Sequence, residues 1–213
     1  MATKHHIVFL TGAGISQESG ISTFRDQNGL WENYAITEVA SPEGFAKNPQ
    51  LVLDFYNARR KQLDEVVPNL AHELIAQLEQ KYEVTVITQN VDDLHERAGS
   101  TNVIHLHGEL KKCRSVLDAT KVFDYNYPLQ LGNLAPDGGQ LRPHIVWFGE
   151  EVPEIDLAIE VTQTADLFVI VGTTMQVQPA ASLLLSVPVD AQTVYIDVAP
   201  DVDKGINLLV LKE

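Results

Sequence analysis

Short runs of apolar and β-branched residues recur along the chain, at His6-Ile-Val-Phe-Leu10, Glu83-Val-Thr-Val-Ile-Thr88, Val103-Ile-His-Leu106, Leu167-Phe-Val-Ile-Val171 and Thr193-Val-Tyr-Ile-Asp197. Each is continuously apolar rather than alternating, the pattern of a strand covered on both faces. Helical spacings lie between them. Asn69 is placed to cap a helix over 70–82, with Leu70, Ala71, Leu74 and Leu78 on one face. Residues 155–164 and 180–186 read as further helices. Strands alternating with helices predict an α/β fold: a Rossmann-like parallel sheet with helices on both faces, plus a small inserted module.

Two stretches interrupt the alternation. Residues 27–67 are mostly helical in pattern, with 51–65 the strongest helix. Residues 111–141 are turn-rich and show little periodicity, with Asp137-Gly-Gly139 at one bend. The expected organisation is therefore a Rossmann-like domain from 1–26, 67–110 and 143–213, and a small module from 27–66 and 111–142.

Composition narrows the function. The chain has 213 residues, 45% of them hydrophobic and 21% charged, which is ordinary globular usage. A net charge of −14 repels phosphate backbones and anionic lipid, arguing against nucleic-acid and membrane roles and for basic peptide partners. No apolar run approaches the ~20 residues of a membrane span, and the first residues lack a signal-peptide core, so a cytoplasmic protein is expected. Cys113 is the only cysteine, which excludes an internal disulfide.

The first strand leads directly into Thr11-Gly-Ala-Gly-Ile-Ser16. A strand, a tight glycine turn and a helix start form a phosphate-holding device. Gly12 and Gly14 allow close backbone approach, and free N–H groups favour negative charge. Gln17 stands where a third glycine would complete the dinucleotide fingerprint, so a plain glycine turn remains an equal reading at this point.

Further motifs follow in order. Gly12-Ala-Gly-Ile-Ser-Gln-Glu-Ser-Gly-Ile21 continues to Thr23-Phe-Arg25. Thr88-Gln-Asn-Val-Asp92, His105-Leu-His-Gly-Glu109, Arg142-Pro-His-Ile-Val-Trp-Phe-Gly-Glu150 and Gly172-Thr-Thr174 come after it. Together they resemble the sirtuins, NAD-dependent protein deacylases, and within them the bacterial desuccinylase-like branch. The resemblance implies an NAD site lined by Gly12, Ala13, Gly14, Phe24, Arg25, Gln89, Asn90, Asp92, Gly172, Thr173, Thr174 and Asp197. It implies that His107 is the general base, taking a proton from a ribose hydroxyl, with Asn90 and Asp92 as its catalytic companions. An imidazole near its ordinary pKa suits that work. His105 reads as structural.

By the same resemblance, acylated-lysine proteins or peptides are the partners. Val146, Trp147, Phe148 and Gly149 pair with extended substrate by strand addition. Tyr56 and Arg59, three apart on one helix, match the pair that binds succinyl or malonyl chains beside acetyl; a solvated basic face over Arg59-Arg60-Lys61 is the competing reading. Most sirtuins hold a structural zinc through two Cys-x-x-Cys pairs. Here 111–141 contains only Cys113 and no histidine, so no zinc and no other metal is expected. That module would instead be held by Val116, Leu117, Phe123, Tyr125, Tyr127 and Leu129. A monomer is expected. ADP-ribosyl transfer, NAD hydrolysis and a non-catalytic NAD-sensing module stay open as alternatives.

Overall fold

A computed structural model of the chain describes residues 5–21, 30–31, 34–125, 127–198 and 208–211. Its centre is a six-stranded parallel sheet built from β1 (His6–Thr11), β4 (Glu83–Thr88), β5 (Val103–His105), β9 (Leu167–Val171), β10 (Gln192–Ile196) and β11 (Leu208–Leu211). The order across the sheet is β11-β10-β9-β1-β4-β5. The chain thus starts in the middle, runs outward through β4 and β5, then returns to build the other half from β9. The crevice between β1 and β9, where the direction reverses, is where open α/β sheets bind ligands.

The strand runs are buried as their continuous apolar character requires. Val8, Leu10, Ile87, Phe168, Ile170 and Tyr195 form one core layer; Phe9, Val86 and Val169 belong to the layer on the opposite face. Each such side chain contributes about 1.5–3 kcal/mol on burial. Register is set along β1, where Ile7 pairs with Val84 on one side and Leu167 on the other.

Helix α4 (Leu70–Leu78) starts at Asn69, whose side chain accepts from Ala71 N at 3.0 Å. It ends earlier than 82, passing into turns. Its buried face also differs from the expected one. Leu70 and Leu74 are exposed, whereas His72 and Ile75 are buried and Ala71 and Leu78 pack beside them. The reason is the cap: Asn69 Nδ2 donates inward to Ile15 O at 2.7 Å and fixes the helix's rotation. Helix α5 (Leu94–Ala98) follows β4, α6 (Ile155–Thr162) precedes β9, and 180–186 is a 3-10 helix.

Between β1 and α4 lie a two-stranded hairpin, β2 (Leu30–Trp31) and β3 (Tyr34–Ala35), then α1 (Ile36–Val39), α2 (Pro42–Lys47) and α3 (Pro49–Glu65). Asn48 caps α3 through Leu51 N, and Pro49 sits at its first turn, where no amide donor is needed. Val52, Leu53, Phe55, Tyr56, Arg59, Arg60 and Leu63 are buried along it. Arg59 and Arg60 are therefore not a solvated basic face. Arg60 Nε donates to Leu110 O at 2.7 Å.

The turn-rich region contains more order than its sequence suggests. β6 (Gly108–Ser115) is flanked by β7 (Val122–Asp124) and β8 (Leu141–Ile145) in an antiparallel three-stranded sheet. Its core is Leu53, Cys113, Leu129, Ala135 and Leu141, with Phe45, Phe123 and Tyr125 partly buried against it. Val116, Leu117 and Tyr127 are exposed and do not hold it together. Among the described residues no helix is long and apolar enough to cross a membrane.

Candidate functional site

The loops after β1 and β9 interlock. Gly12 N donates to Val171 O at 3.0 Å, and Gly14 N donates to Gly172 O at 2.8 Å. A Cβ on Gly12 would lie 2.7 Å from Thr173 Cβ, and one on Gly14 would lie 2.7 Å from Gly172 Cα. Gly172 itself has φ +62°, a left-handed conformation that suits glycine. These glycines therefore serve the seating of one loop on the other. Their amide hydrogens are engaged within the chain, contrary to the expectation that they face a phosphate. Residues 13–16 form only a single 3-10 turn.

A cavity of about 1230 Å³ opens beside this seat. It exceeds the ~300–1,000 Å³ of ordinary small-molecule pockets, so a dinucleotide and a second ligand can share it. Gly12, Ala13, Gly14, Gln89, Asn90, Asp92, His107, Gly172, Thr173, Thr174 and Asp197 all border it. Phe24 and Arg25 lie outside the described residues.

The floor is a connected polar network. Gln89 Nε2 donates to Thr173 Oγ1 at 2.9 Å and so ties the β4 loop to the β9 loop. Asn90 Nδ2 donates to Ser16 Oγ at 3.1 Å, and Ser16 Oγ donates to Asp92 Oδ2 at 3.0 Å. Burial pushes the Asp92 carboxyl up, against the lowering influence of hydrogen bonds from Leu94 N and Ser16. Ser16 carried no signal in the sequence beyond its place in the glycine motif, yet it joins the two.

Two histidines hold consecutive carbonyls of that loop. His107 Nδ1 lies 3.0 Å from Gln89 O, and His105 Nδ1 lies 3.1 Å from Asn90 O. A carbonyl only accepts, so each Nδ1 carries a hydrogen. In neutral His107 this leaves Nε2 as the basic nitrogen. Burial lowers the His107 pKa, with the Gln89 bond opposing, so the imidazole is not at its ordinary value. His105 Nε2 lies 2.7 Å from a Glu96 oxygen. Burial opposes its charge, but the bonds and charges of Glu96 and Glu109 outweigh that and raise its pKa. Among the described residues Glu96, His105 and Glu109 bring ligand-type atoms within 4.8 Å of one another. They are ion-paired, and Lys112 also engages Glu109.

A second wall comes from α3 and the segment after β8. Tyr56, Arg59, Val146, Trp147, Phe148 and Gly149 all border the cavity. Trp147 Nε1 donates to Tyr56 Oη at 3.0 Å. The amides of Val146, Trp147 and Phe148 donate to His107 O, Glu150 Oε2 and Ala40 O. Strand addition through those three donors is thus unavailable, and Trp147 O already accepts from Glu150 N at 3.0 Å.

The sequence model of the Sir2 family matches residues 12–179. The NAD-dependent protein deacylase of Bacteroides thetaiotaomicron is 55% identical over 215 residues, covering 98% of this chain and 92% of that protein. The Helicobacter pylori (strain 26695) protein of the same name is 58% identical over 192 residues, covering 90% and 84%. Among solved structures, a Sir2 homologue–NAD complex superposes with a TM-score of 0.84 at 40% identity, covering 97% of this chain and 84% of that one. A Sir2–p53 peptide–NAD+ complex superposes with a TM-score of 0.74 at 34% identity, covering 92% and 82%. The strand order, the interlocked glycine loops and relatives more than half identical along nearly the whole chain agree: the protein belongs to the Sir2 family.

Proposed function

We propose that this Sir2-family chain is an NAD-dependent protein-lysine deacylase, with the Rossmann-like sheet holding NAD and the small module helping to frame the acyl-lysine. The observation that carries the reading is the His107–Gln89 bond, which presents a basic Nε2 within a cavity large enough for two ligands. The residues present fit NAD: the interlocked glycine loops border the cavity, and Thr173, Gln89, Asn90 and Asp197 supply polar atoms along one crevice.

When bound, NAD supplies an electrophilic ribose carbon with nicotinamide as leaving group. The chain's part is to orient and to exclude water. Asn90, held by Ser16, and Asp92 position the nicotinamide and ribose end. His107 Nε2 accepts a proton from a ribose hydroxyl. Asp197, 7% exposed at the end of β10, accepts from ribose hydroxyls at the other end of the crevice. Tyr56 and Arg59 favour an acidic acyl chain, succinyl or malonyl, alongside acetyl. Tyr56 is fully buried in the cavity wall. A reduced, buried Cys113 suits the cytoplasm.

Nicotinamide release, with product masses, from NAD plus succinyl-lysine or acetyl-lysine peptide tests this. Peptide-dependent release yielding acyl-ADP-ribose and free lysine, lost in His107→Ala, is expected. Release without peptide would instead favour NAD hydrolysis.

A further inference from the structure

His105 and His107 share one kind of tether and differ in what faces the other ring nitrogen. His105 Nδ1 donates to Asn90 O at 3.1 Å, and His107 Nδ1 donates to Gln89 O at 3.0 Å. His107 borders the cavity; among the described residues its lining includes neither His105 nor Glu96 nor Glu109. His105 Nε2 instead meets Glu96 Oε1 at 2.7 Å, with Glu109 Oε1 at 3.7 Å.

Both partners of the His105 ring only accept, a carbonyl at one nitrogen and a carboxylate at the other. A neutral imidazole has one hydrogen and leaves one of those contacts as lone pair against lone pair. The imidazolium satisfies both. Its surroundings agree with that charge: Glu96 faces the ring from α5, Glu109 from β6 and Asp92 from the loop after β4, while Lys112 is engaged by Glu109. His95, also on α5, is held uncharged at neutral pH by its own burial.

Three polar atoms of Asn90 are held. Its N–H donates to Thr88 Oγ1 at 3.0 Å, its Nδ2 donates to Ser16 Oγ at 3.1 Å, and its carbonyl takes the His105 hydrogen. β5 delivers His105 to this place because His105 pairs with Thr88 in the parallel register, and Leu106 N donates to Thr88 O. When the ring loses a proton, the remaining hydrogen stays on Nε2, where the charged acceptor binds it more strongly, and the Asn90 carbonyl loses its donor.

We infer that His105 is a positioning residue: clamped between Glu96 and the Asn90 carbonyl, it fixes the Asn90 backbone and so the aim of the Asn90 side chain at the ribose, without itself touching substrate. The inference rests on the reading of Asn90 given above. Nicotinamide release is common to deacylation and NAD hydrolysis, so either reaction reports on it.

The test measures nicotinamide release from NAD with acetyl-lysine peptide, as kcat and KM from about pH 6 to about pH 9, for wild type, His105→Leu, His105→Asn and Glu96→Gln, with thermal melting as a check of folding. His105→Leu removes the donor and should lower kcat about tenfold or more, the size of a lost hydrogen bond from a charged group, while KM for peptide changes less than about threefold. His105→Asn places an amide donor near the position of Nδ1 and should recover part of that loss. Glu96→Gln keeps the shape and removes the charge, so the basic limb of kcat should move down by about one pH unit or more. Ring-nitrogen NMR should show His105 doubly protonated at neutral pH in wild type, with its titration moving down in Glu96→Gln. Should His105→Leu fail to melt cooperatively, Glu96→Gln and the NMR titration decide, since the Glu96 side chain is 40% exposed. A basic limb unmoved in Glu96→Gln, a loss in His105→Leu confined to KM, a His105→Asn as slow as His105→Leu, or a singly protonated ring at neutral pH overturns the inference alone. Release without peptide that still shows the expected shifts supports the inference and overturns the deacylase reading. No release from wild type overturns both.

Discussion

His107 Nδ1 stands 3.0 Å from the carbonyl oxygen of Gln89, a pairing that commits its hydrogen to the backbone and leaves Nε2 as the base. Replacing His107 with Ala should lower acyl-peptide turnover by about 10²–10⁴-fold, the usual weight of a positioned general base. Because burial lowers its pKa, the acidic limb of kcat/KM should fall below the ordinary imidazole value of roughly 6.5. A pH–rate profile of wild type against acetyl or succinyl peptide reads this directly; a limb above 7 would contradict it.

Gly14→Ala should damage both stability and NAD binding. The added Cβ meets backbone atoms of Gly172 at 2.7–3.0 Å, and backbone cannot turn aside as a side chain can. The loops must part, at a stability cost of about 1–3 kcal/mol. A lower melting temperature that added NAD no longer raises would match this expectation.

Arg59→Met removes the charge at the inner wall while keeping an apolar stem in a site only 7% exposed. Succinyl-peptide kcat/KM should drop about tenfold or more, with acetyl-peptide turnover falling far less. Equal losses would remove Arg59 from acyl recognition.

Acid should unfold the protein through its buried histidines. Burial holds His95 down to about 3, and His72 and His144 down to about 4, and each has a ring nitrogen with no partner. Such groups bind fewer protons folded than unfolded. Stability is therefore full above roughly pH 6.5 and declines as pH falls toward those values, by a few kcal/mol in order of magnitude. His105 works the other way, since its pKa is raised, and loses its contribution as pH climbs through its folded value. Melting temperatures between pH 7 and 4.5 should fall steeply in wild type and less steeply in His72→Leu.

The central sheet was legible because β1, β4 and β9 are covered on both faces and carry uninterrupted apolar residues. β6 was hidden for the opposite reason. Lys111, Lys112 and Arg114 break its apolar pattern, and Arg114 is buried only because Glu150 from a distant segment pairs with it. The face of α4 was misread because Asn69 both caps the helix and reaches across to Ile15, a contact no periodicity announces. In the site, motif spacing brought His107, Asn90, Asp92 and Thr173 to one cavity. It could not show that the Gly12 and Gly14 amides are used internally, or that Ser16 links Asn90 to Asp92. Those facts depend on loops that meet only in three dimensions.

The seat of Gly14 on Gly172 has a consequence for folding. β1 and its neighbour β9 are far apart in the chain: His6 N donates to Asp166 Oδ2, 160 residues later and just before β9. A nascent chain that ends before Gly172 lacks half of the crevice, so it can neither retain the dinucleotide nor turn it over. The crevice is thus a non-local product of the fold, made only when two segments far apart in sequence have met.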